Sequence, residues 1–257
     1  MPDVKEANLL FLDGKKESAA KMYYDGARDG DAECAFNFGY CLLVGAGVEK
    51  DEKRAKSFFT YALGLPGGEA AYNLAVMHLH GLGVNRDYKQ VYSYMYDSAR
   101  HGCIEAQLYL GIAHTVGAIF EPDVIAISKI PFHTPIYRTE GLLLEGELPY
   151  DERDEDLRYA AVRVDPRSAF EWFRKASRAD STYVEELSRL GKFLYARCFV
   201  DGLGTEANRE KAEKAMLIAA RDGSEDAISY ILTEAPHLSG RLYDFEYLKT
   251  LGNGEVR

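Results

Sequence analysis

The sequence lacks any apolar run long enough to cross a membrane. A spanning helix needs about 18 consecutive apolar residues, and no such stretch occurs in the 257 residues. The N-terminal segment has only the four apolar residues from Leu9 to Leu12, too few for the core of a signal peptide. The sequence therefore predicts a cytoplasmic protein with no membrane partner.

Cysteine is scarce and positive charge is in deficit. The four cysteines form no CxxC motif and have no histidine at metal-ligand spacing, which favours reduced core residues over disulfides, metal ligands or a cofactor site. The 31 lysines and arginines face 41 aspartates and glutamates, so the net charge is −10. Because proteins hold a phosphate backbone mainly with Lys and Arg, we expect no nucleic-acid partner.

Catalytic motifs are absent as well. The recurring GAGV, GLGV and GLGT segments do not continue as GxGxxG or end in GK followed by Ser or Thr, so they indicate turns rather than phosphate-binding loops. The SxxK pattern at Ser18–Lys21 has no SDN or KTG partner motif, and no HExxH or GxSxG occurs. The sequence therefore predicts no catalytic residue and does not support an enzyme.

The sequence does contain a period of 36 residues. The segment that begins at Ala32 realigns on the segment that begins at Gly68, with its small, asparagine, glycine and aspartate positions in register. A third copy opens at Ile104, but its second half is displaced to Asp165, and a fourth copy begins at Gly191. Half-copies flank the array. An internal period of this length indicates a repeat protein.

Each copy predicts two helices. Small and apolar residues at i, i+4 and i+8 form the first, helix A, which ends at a glycine suited to left-handed backbone. The second, helix B, begins directly after an Asp or Asn that can cap its free backbone N–H groups. These capping residues are Asp51, Asp87, Asp165 and Asn208. The predicted fold class is all-α, an α/α solenoid of about four repeats with flanking half-repeats.

These positions resemble the Sel-one-like repeat family, relatives of the tetratricopeptide repeat, whose pattern is AxxxLGxxYxxGxGVxxDxxKAxxWYxxAAxxG. The resemblance covers about residues 15–118 and 165–235. It implies a right-handed superhelix of antiparallel helix pairs that serves mostly as a scaffold for protein partners. The sequence departs from the pattern at the tyrosine position of helix A, where two repeats have His78 and His114. We predict both as hydrogen-bonded core imidazoles.

The face of helix A away from its small-residue stripe supplies one candidate partner site. Helix A is apolar almost all round, so many of these residues are expected to be buried between neighbouring helices of the stack. Any residues left over would line a concave apolar groove, in which two asparagine amides could bind a peptide main chain. The predicted groove residues are Asn37, Tyr40, Asn73, Val76, His80 and Tyr109.

The insertion in the third repeat, about residues 119–164, supplies the other candidate site. Its stretch Glu140–Asp156 carries eight acidic residues against the single base Arg153. A solvated charged face is the simpler interpretation. The more specific one is a docking site for a basic partner, and the residues predicted for that contact are Asp151, Glu152, Asp154 and Glu155.

Together these features predict one helical-repeat domain over residues 1–235, interrupted by the insertion, and a capping tail over residues 236–257. The predicted function is a non-catalytic scaffold or adaptor that binds a protein or peptide. Two other classes stay open. One is a cytoplasmic inhibitor or immunity-type protein that neutralises a basic toxin or enzyme, and the other is a hydrolase of unfamiliar geometry.

Overall fold

The structure is a computed structural model, and it describes residues 3–117, 119, 162–179, 185–242 and 244. These residues form twelve α-helices and two short 3₁₀-helices, and no strand occurs among them. The all-α class that the period predicts is therefore confirmed.

The helices fall into two compact units. The first unit contains α1 (Val4–Leu12), α2 (Lys16–Arg28), α3 (Ala32–Val44), α4 (Glu52–Tyr61), α5 (Glu69–His80) and α6 (Tyr88–Arg100). The second contains α7 (Ile104–Val116), α8 (Pro166–Ser177), α9 (Glu185–Asp201), α10 (Arg209–Arg221), α11 (Glu225–Thr233) and α12 (Ser239–Leu242). The 3₁₀-helices cover Ala62–Gly64 and Pro236–Leu238.

Each copy of the period is a helix A followed by a helix B. The pairs are α3 with α4 and α5 with α6 in the first unit, and α7 with α8 and α9 with α10 in the second. The half-copies contribute α2, which is a helix B, and α11, which is a helix A. The α/α solenoid class predicted for the chain is confirmed by these pairs.

The turn between helices A and B begins with the predicted glycine. Gly45 and Gly81 adopt φ of 73° and 72°, and Gly202 also has a φ of 72°. The next residue then donates its backbone N–H to helix A, as Ala46 does to the Cys41 carbonyl oxygen at 2.9 Å. This bond satisfies one of the carbonyl groups that a helix C-terminus leaves free.

The turn ends with the predicted N-cap in all four repeats. The side chain of Asp87 accepts from the backbone N–H groups of Lys89 and Gln90 at 3.0 and 3.1 Å. The backbone N–H of the same cap donates to a helix A carbonyl, from Asp87 to His78 at 3.2 Å. Equivalent bonds join Asp51 to Leu42, Asp165 to His114 and Asn208 to Phe199 at 2.9, 3.0 and 2.9 Å. One backbone bond therefore fixes helix B on helix A in every repeat.

In three of the four repeats, a second glycine of the turn brings neighbouring repeats into close contact. A Cβ atom on Gly47 would lie 2.2 Å from the backbone oxygen of Lys16, at the start of the preceding helix B. A Cβ on Gly83 would lie 2.6 Å from the backbone carbon of Glu52. In the second unit, Gly204 approaches Pro166 in the same way. No side chain fits between these backbones, which explains the recurring GxG segments.

Helices A carry most of the core. Every residue from Cys34 to Leu43 of α3, and from Ala70 to Leu79 of α5, is buried. Gly39 allows Phe59 of α4 to approach closely, since a Cβ there would lie 3.1 Å from the ring. Phe59 also contacts Phe36, with ring centroids 5.5 Å apart. The first unit is therefore held by apolar contact between each helix A and the helices around it.

Candidate functional site

The residues predicted to line a groove lie inside the stack. Asn37 is 2% exposed and Asn73 is fully buried. Tyr40, Val76 and Tyr109 are buried as well, and His80 is partly buried. The expectation of two exposed amides along an open groove is corrected by this burial, and the simpler interpretation, packing between neighbouring helices, accounts for them.

The contacts of Asn37 show why this face is closed. Its Nδ2 atom donates to Asn8 Oδ1 of α1 at 3.3 Å, and the hydroxyl of Tyr23 donates to the same oxygen at 2.6 Å. One turn further along α3, Tyr40 contacts the ring of Phe11 of α1, with centroids 6.2 Å apart. Helix α1 therefore contacts the face of α3 that sequence reasoning left open. The nearly uniform apolarity of helix A was the signal for this burial.

The two histidines at the tyrosine position of helix A are buried. His114 donates from Nδ1 to the carbonyl oxygen of Arg163 at 3.1 Å, as a core imidazole would. The ring of His78 stacks on Tyr94, with centroids 5.8 Å apart. Burial lowers the pKa of His78, and the nearby charge of Lys56 lowers it further. His78 is therefore held as the neutral imidazole.

The cysteines are free thiols in the core. All four are buried and none forms a disulfide. Burial raises the pKa of Cys34, Cys41 and Cys198 to about 12. Because the thiolate is the reactive form, these side chains behave as small apolar residues.

Two kinds of feature are absent from the described part of the chain. No group of three or more His, Cys, Asp or Glu side chains there could hold a metal ion. No helix there is both long enough and apolar enough to cross a membrane.

The ends of the insertion meet at one point of the third repeat. The backbone N–H of Val162 donates to the carbonyl oxygen of Gly117 at 2.9 Å. Beside it, the backbone N–H of Asp165 donates to the His114 carbonyl oxygen at 3.0 Å, the bond that every repeat makes between helices A and B. Helices α7 and α8 therefore pair as in the other repeats. The predicted contact residues Asp151, Glu152, Asp154 and Glu155 lie outside the described residues.

Sequence reasoning missed a second feature, the outer faces of helices B in the first unit. Tyr24 of α2, Tyr61 at the end of α4 and Tyr96 of α6 are 41%, 57% and 43% exposed. Tyr24 and Tyr96 differ by two full periods of 36 residues, so this pair could have been read from the period, whereas Tyr61 lies one residue beyond the equivalent position of α4. Large exposed aromatic side chains are characteristic of interaction surfaces.

Comparison with known proteins agrees with this architecture. The model of the Sel1 repeat family matches residues 32–63, 68–103, 159–181 and 189–224. A solved Sel1 repeat protein from Oxalobacter formigenes superimposes with a TM-score of 0.60 at 20% sequence identity, over 85% of this chain and 49% of its own. This chain therefore spans about half the length of that protein.

A second solved structure is more distant. It is a protective antigen of uropathogenic Escherichia coli strains with an SLR fold, and it aligns with a TM-score of 0.40 at 16% identity, over 97% of this chain and 59% of its own. A search of curated proteins finds no match. The four matched repeats, the helix pairs and the shared fold lead to one conclusion: the chain is a Sel1-like repeat protein.

Proposed function

We propose that this chain is a non-catalytic protein-interaction scaffold whose third repeat presents an acidic insertion to a basic partner. Sel1 repeats generally mediate protein–protein interactions. The described residues use their recurring Asp, Asn and His side chains for caps and core contacts. The inserted segment interrupts the repeat pattern between the two helices of the third repeat.

One observation supports this proposal above the others: the third repeat keeps its backbone hydrogen bonds where the insertion begins and ends. The Gly117–Val162 bond and the His114–Asp165 bond complete the third repeat on both sides of residues 118–161. A repeat that keeps its helix pairing can carry an added segment without loss of its own core. The helix pair then acts as the support, and the segment supplies the contact.

Charge indicates the class of partner. Residues 118–161 contain ten acidic and four basic residues, so they hold −6 of the net charge of −10. A cluster of one sign attracts a protein of the opposite sign and raises its association rate, and salt screens that attraction. The proposed partner is therefore a protein with an exposed basic surface.

Affinity capture from a native lysate, followed by titration of the captured protein, tests the proposal. Charge reversal at Asp151, Glu152, Asp154 and Glu155 to lysine should abolish binding, and binding to the parent should weaken steeply with added salt. The matched control reverses four exposed acids elsewhere on the chain. These are Glu49, Glu186, Glu206 and Glu210. Equal binding of parent and insertion variant would refute the proposal.

The same charge supports a second candidate, an inhibitor or immunity-type protein that neutralises a basic enzyme. It differs from a scaffold in one measurable way. Addition of the chain at stoichiometric concentration should block the activity of a captured basic enzyme, whereas a scaffold leaves that activity intact. The charge-reversed insertion variant should then lose inhibition and binding together.

A further inference from the structure

We infer that the outer faces of helices α2, α4 and α6 form a docking surface for an acidic segment of another protein. We call this surface the outer row. Each of the three helices contributes one exposed tyrosine and one exposed arginine to it: Tyr24 and Arg28, Arg54 and Tyr61, and Tyr96 and Arg100. The inference does not depend on the acidic insertion or on its proposed basic partner.

The repeat geometry places the side chains on α2 and α6 in register. Tyr24 and Tyr96 are 72 residues apart, two full periods, and so are Arg28 and Arg100. On each helix the two residues are four apart, so they share one face. Arg54 and Tyr61 are seven apart on α4, which again places both on one face. Tyr61 lies one residue beyond the position equivalent to Tyr24 and Tyr96, so the pair on α4 lies about a quarter turn round the helix from the pairs on α2 and α6. One tyrosine–arginine pair therefore occurs on each helix, and the pairs on α2 and α6 are in register.

The tyrosines present rings that the unit does not bury. The ring of Tyr24 contacts the ring of Phe38, with centroids 5.2 Å apart. Tyr24 is therefore packed on one side and remains partly exposed on the other. The hydroxyl of Tyr61 donates to the Gly30 carbonyl oxygen at 3.2 Å, which fixes it over the turn after α2. The ring of Tyr92 stacks on the ring of Tyr96, with centroids 6.3 Å apart. Restrained tyrosines lose little entropy on binding, and with Arg they dominate interface energetics.

The charge of helices B selects an acidic partner. Within their bounds, α2, α4 and α6 carry eight lysines and arginines against four aspartates and glutamates. Helices α3 and α5 carry one glutamate each, Glu33 and Glu69, and no Lys or Arg. Positive charge in the first unit is thus concentrated on the exposed helices, in a protein that is acidic as a whole.

Nearby carboxylates neutralise only part of this charge. The Oδ1 atom of Asp25 lies 4.0 Å from Nη2 of Arg28. An ion pair between exposed groups at this distance contributes little to stability. Asp97 lies 3.6 Å from His101. In the second unit, Arg174 of α8 and Arg178, the residue after this helix, stand at the positions that correspond to Tyr96 and Arg100. The arginine therefore recurs there, and the tyrosine does not.

Fluorescence anisotropy with a designed probe tests the outer row. The probe is a labelled peptide with Phe at every fourth position and Glu at the others, and its counterpart has Gln in place of Glu. We expect the full-length protein to bind the Glu peptide and not the Gln peptide. The triple variant Arg28→Glu, Arg54→Glu and Arg100→Glu should weaken binding by at least about tenfold and flatten its salt dependence.

Two matched variants separate the row from net charge and from folding. Lys5→Glu, Lys15→Glu and Lys50→Glu make the same charge change at exposed sites of the same unit outside the row, and they should leave affinity within about twofold. The triple variant Tyr24→Ser, Tyr61→Ser and Tyr96→Ser should weaken binding without changing the salt slope. Circular dichroism confirms that each variant retains its helices.

Three outcomes would overturn the inference. Equal binding of the Glu and Gln peptides would show that charge does not select the ligand. An equal loss in the lysine variant would assign the effect to net charge rather than to the row. Tighter binding of single-stranded DNA than of the Glu peptide at physiological salt would assign the row to nucleic acid.

Discussion

At the scale of single residues, the structure depends on how closely one backbone approaches the next. In three of the four A–B turns, the second glycine combines a left-handed φ with contact to the preceding helix B. These two constraints have separate costs. A left-handed φ disfavours any residue with a Cβ, whereas backbone contact excludes that Cβ directly.

Substitution of Gly83 measures both costs together. Gly83→Ala should lower the free energy of unfolding by about 2–4 kcal/mol, since the φ of 66° costs about 1 kcal/mol and the clash with Glu52 costs more. Gly14→Ala is the control, because Gly14 has a φ of 80° and open space around it. That control should lose about 1 kcal/mol in the same urea titration. Equal losses would mean that the repeats do not approach as described.

The lowered pKa of His78 makes stability depend on pH. Because the folded protein holds the neutral imidazole, the unfolded chain takes up the proton first as pH falls below the ordinary value of about 6.5. The contribution of His78 to stability is therefore present above that pH and lost below it.

Urea denaturation between about pH 7.5 and pH 5 measures this dependence. His78→Leu gives the second repeat the leucine that the first repeat has at the equivalent position, Leu42. This variant should show a smaller loss of stability at low pH. His101→Leu, at an exposed site, should retain the loss of the parent. An unchanged pH dependence in His78→Leu would contradict the assignment.

At the scale of helices, the caps define where each helix B begins. Asp87→Ala removes a side chain that accepts two backbone N–H groups, and it should destabilise the protein by about 1 kcal/mol. Asp87→Asn retains the acceptor and should cost only a few tenths of that value. The backbone bond to His78 is unaffected in both variants. Thermal unfolding of the pair, followed by circular dichroism, isolates the cap.

Helices and caps were predictable from sequence because both depend on local chemistry. Asp51, Asp87, Asp165 and Asn208 act through backbone groups two or three residues away, so their role can be read from spacing alone. The candidate groove was not predictable in this way. Whether Asn37 faces solvent depends on α1, which lies 29 residues earlier in the chain and has no matching repeat pattern. The pair Tyr24 and Tyr96 was visible in the period, but the exposure of these side chains depends on packing.

At the scale of the whole molecule, we expect the framework and the insertion to be separable. Replacement of residues 118–164 by Leu-Gly-Val-Asn-Arg, the sequence between Gly81 and Asp87, gives the third repeat the turn of the second. We expect the helical circular dichroism and cooperative melting to remain, with stability equal or higher by up to about 2 kcal/mol.

The same replacement should abolish binding of the proposed basic partner and leave the outer row active towards the acidic peptide. A chain that loses cooperative melting after the replacement would show that the framework needs the insertion. The control replaces residues 82–86 with five glycines, which changes a turn of the same length and should lower stability, since Val84 packs against the core of the first unit.

The bond between helices A and B also has a kinetic consequence. In three repeats this bond joins residues that are nine apart in the chain, from Leu42, His78 and Phe199 to their caps. In the third repeat it joins His114 to Asp165, which are 51 residues apart. The search for a contact lengthens with the chain between its ends, and folding slows as contact order rises. In refolding from urea, α7 and α8 should therefore pair last. Their pairing sets the time during which the apolar faces of the third repeat remain open to aggregation.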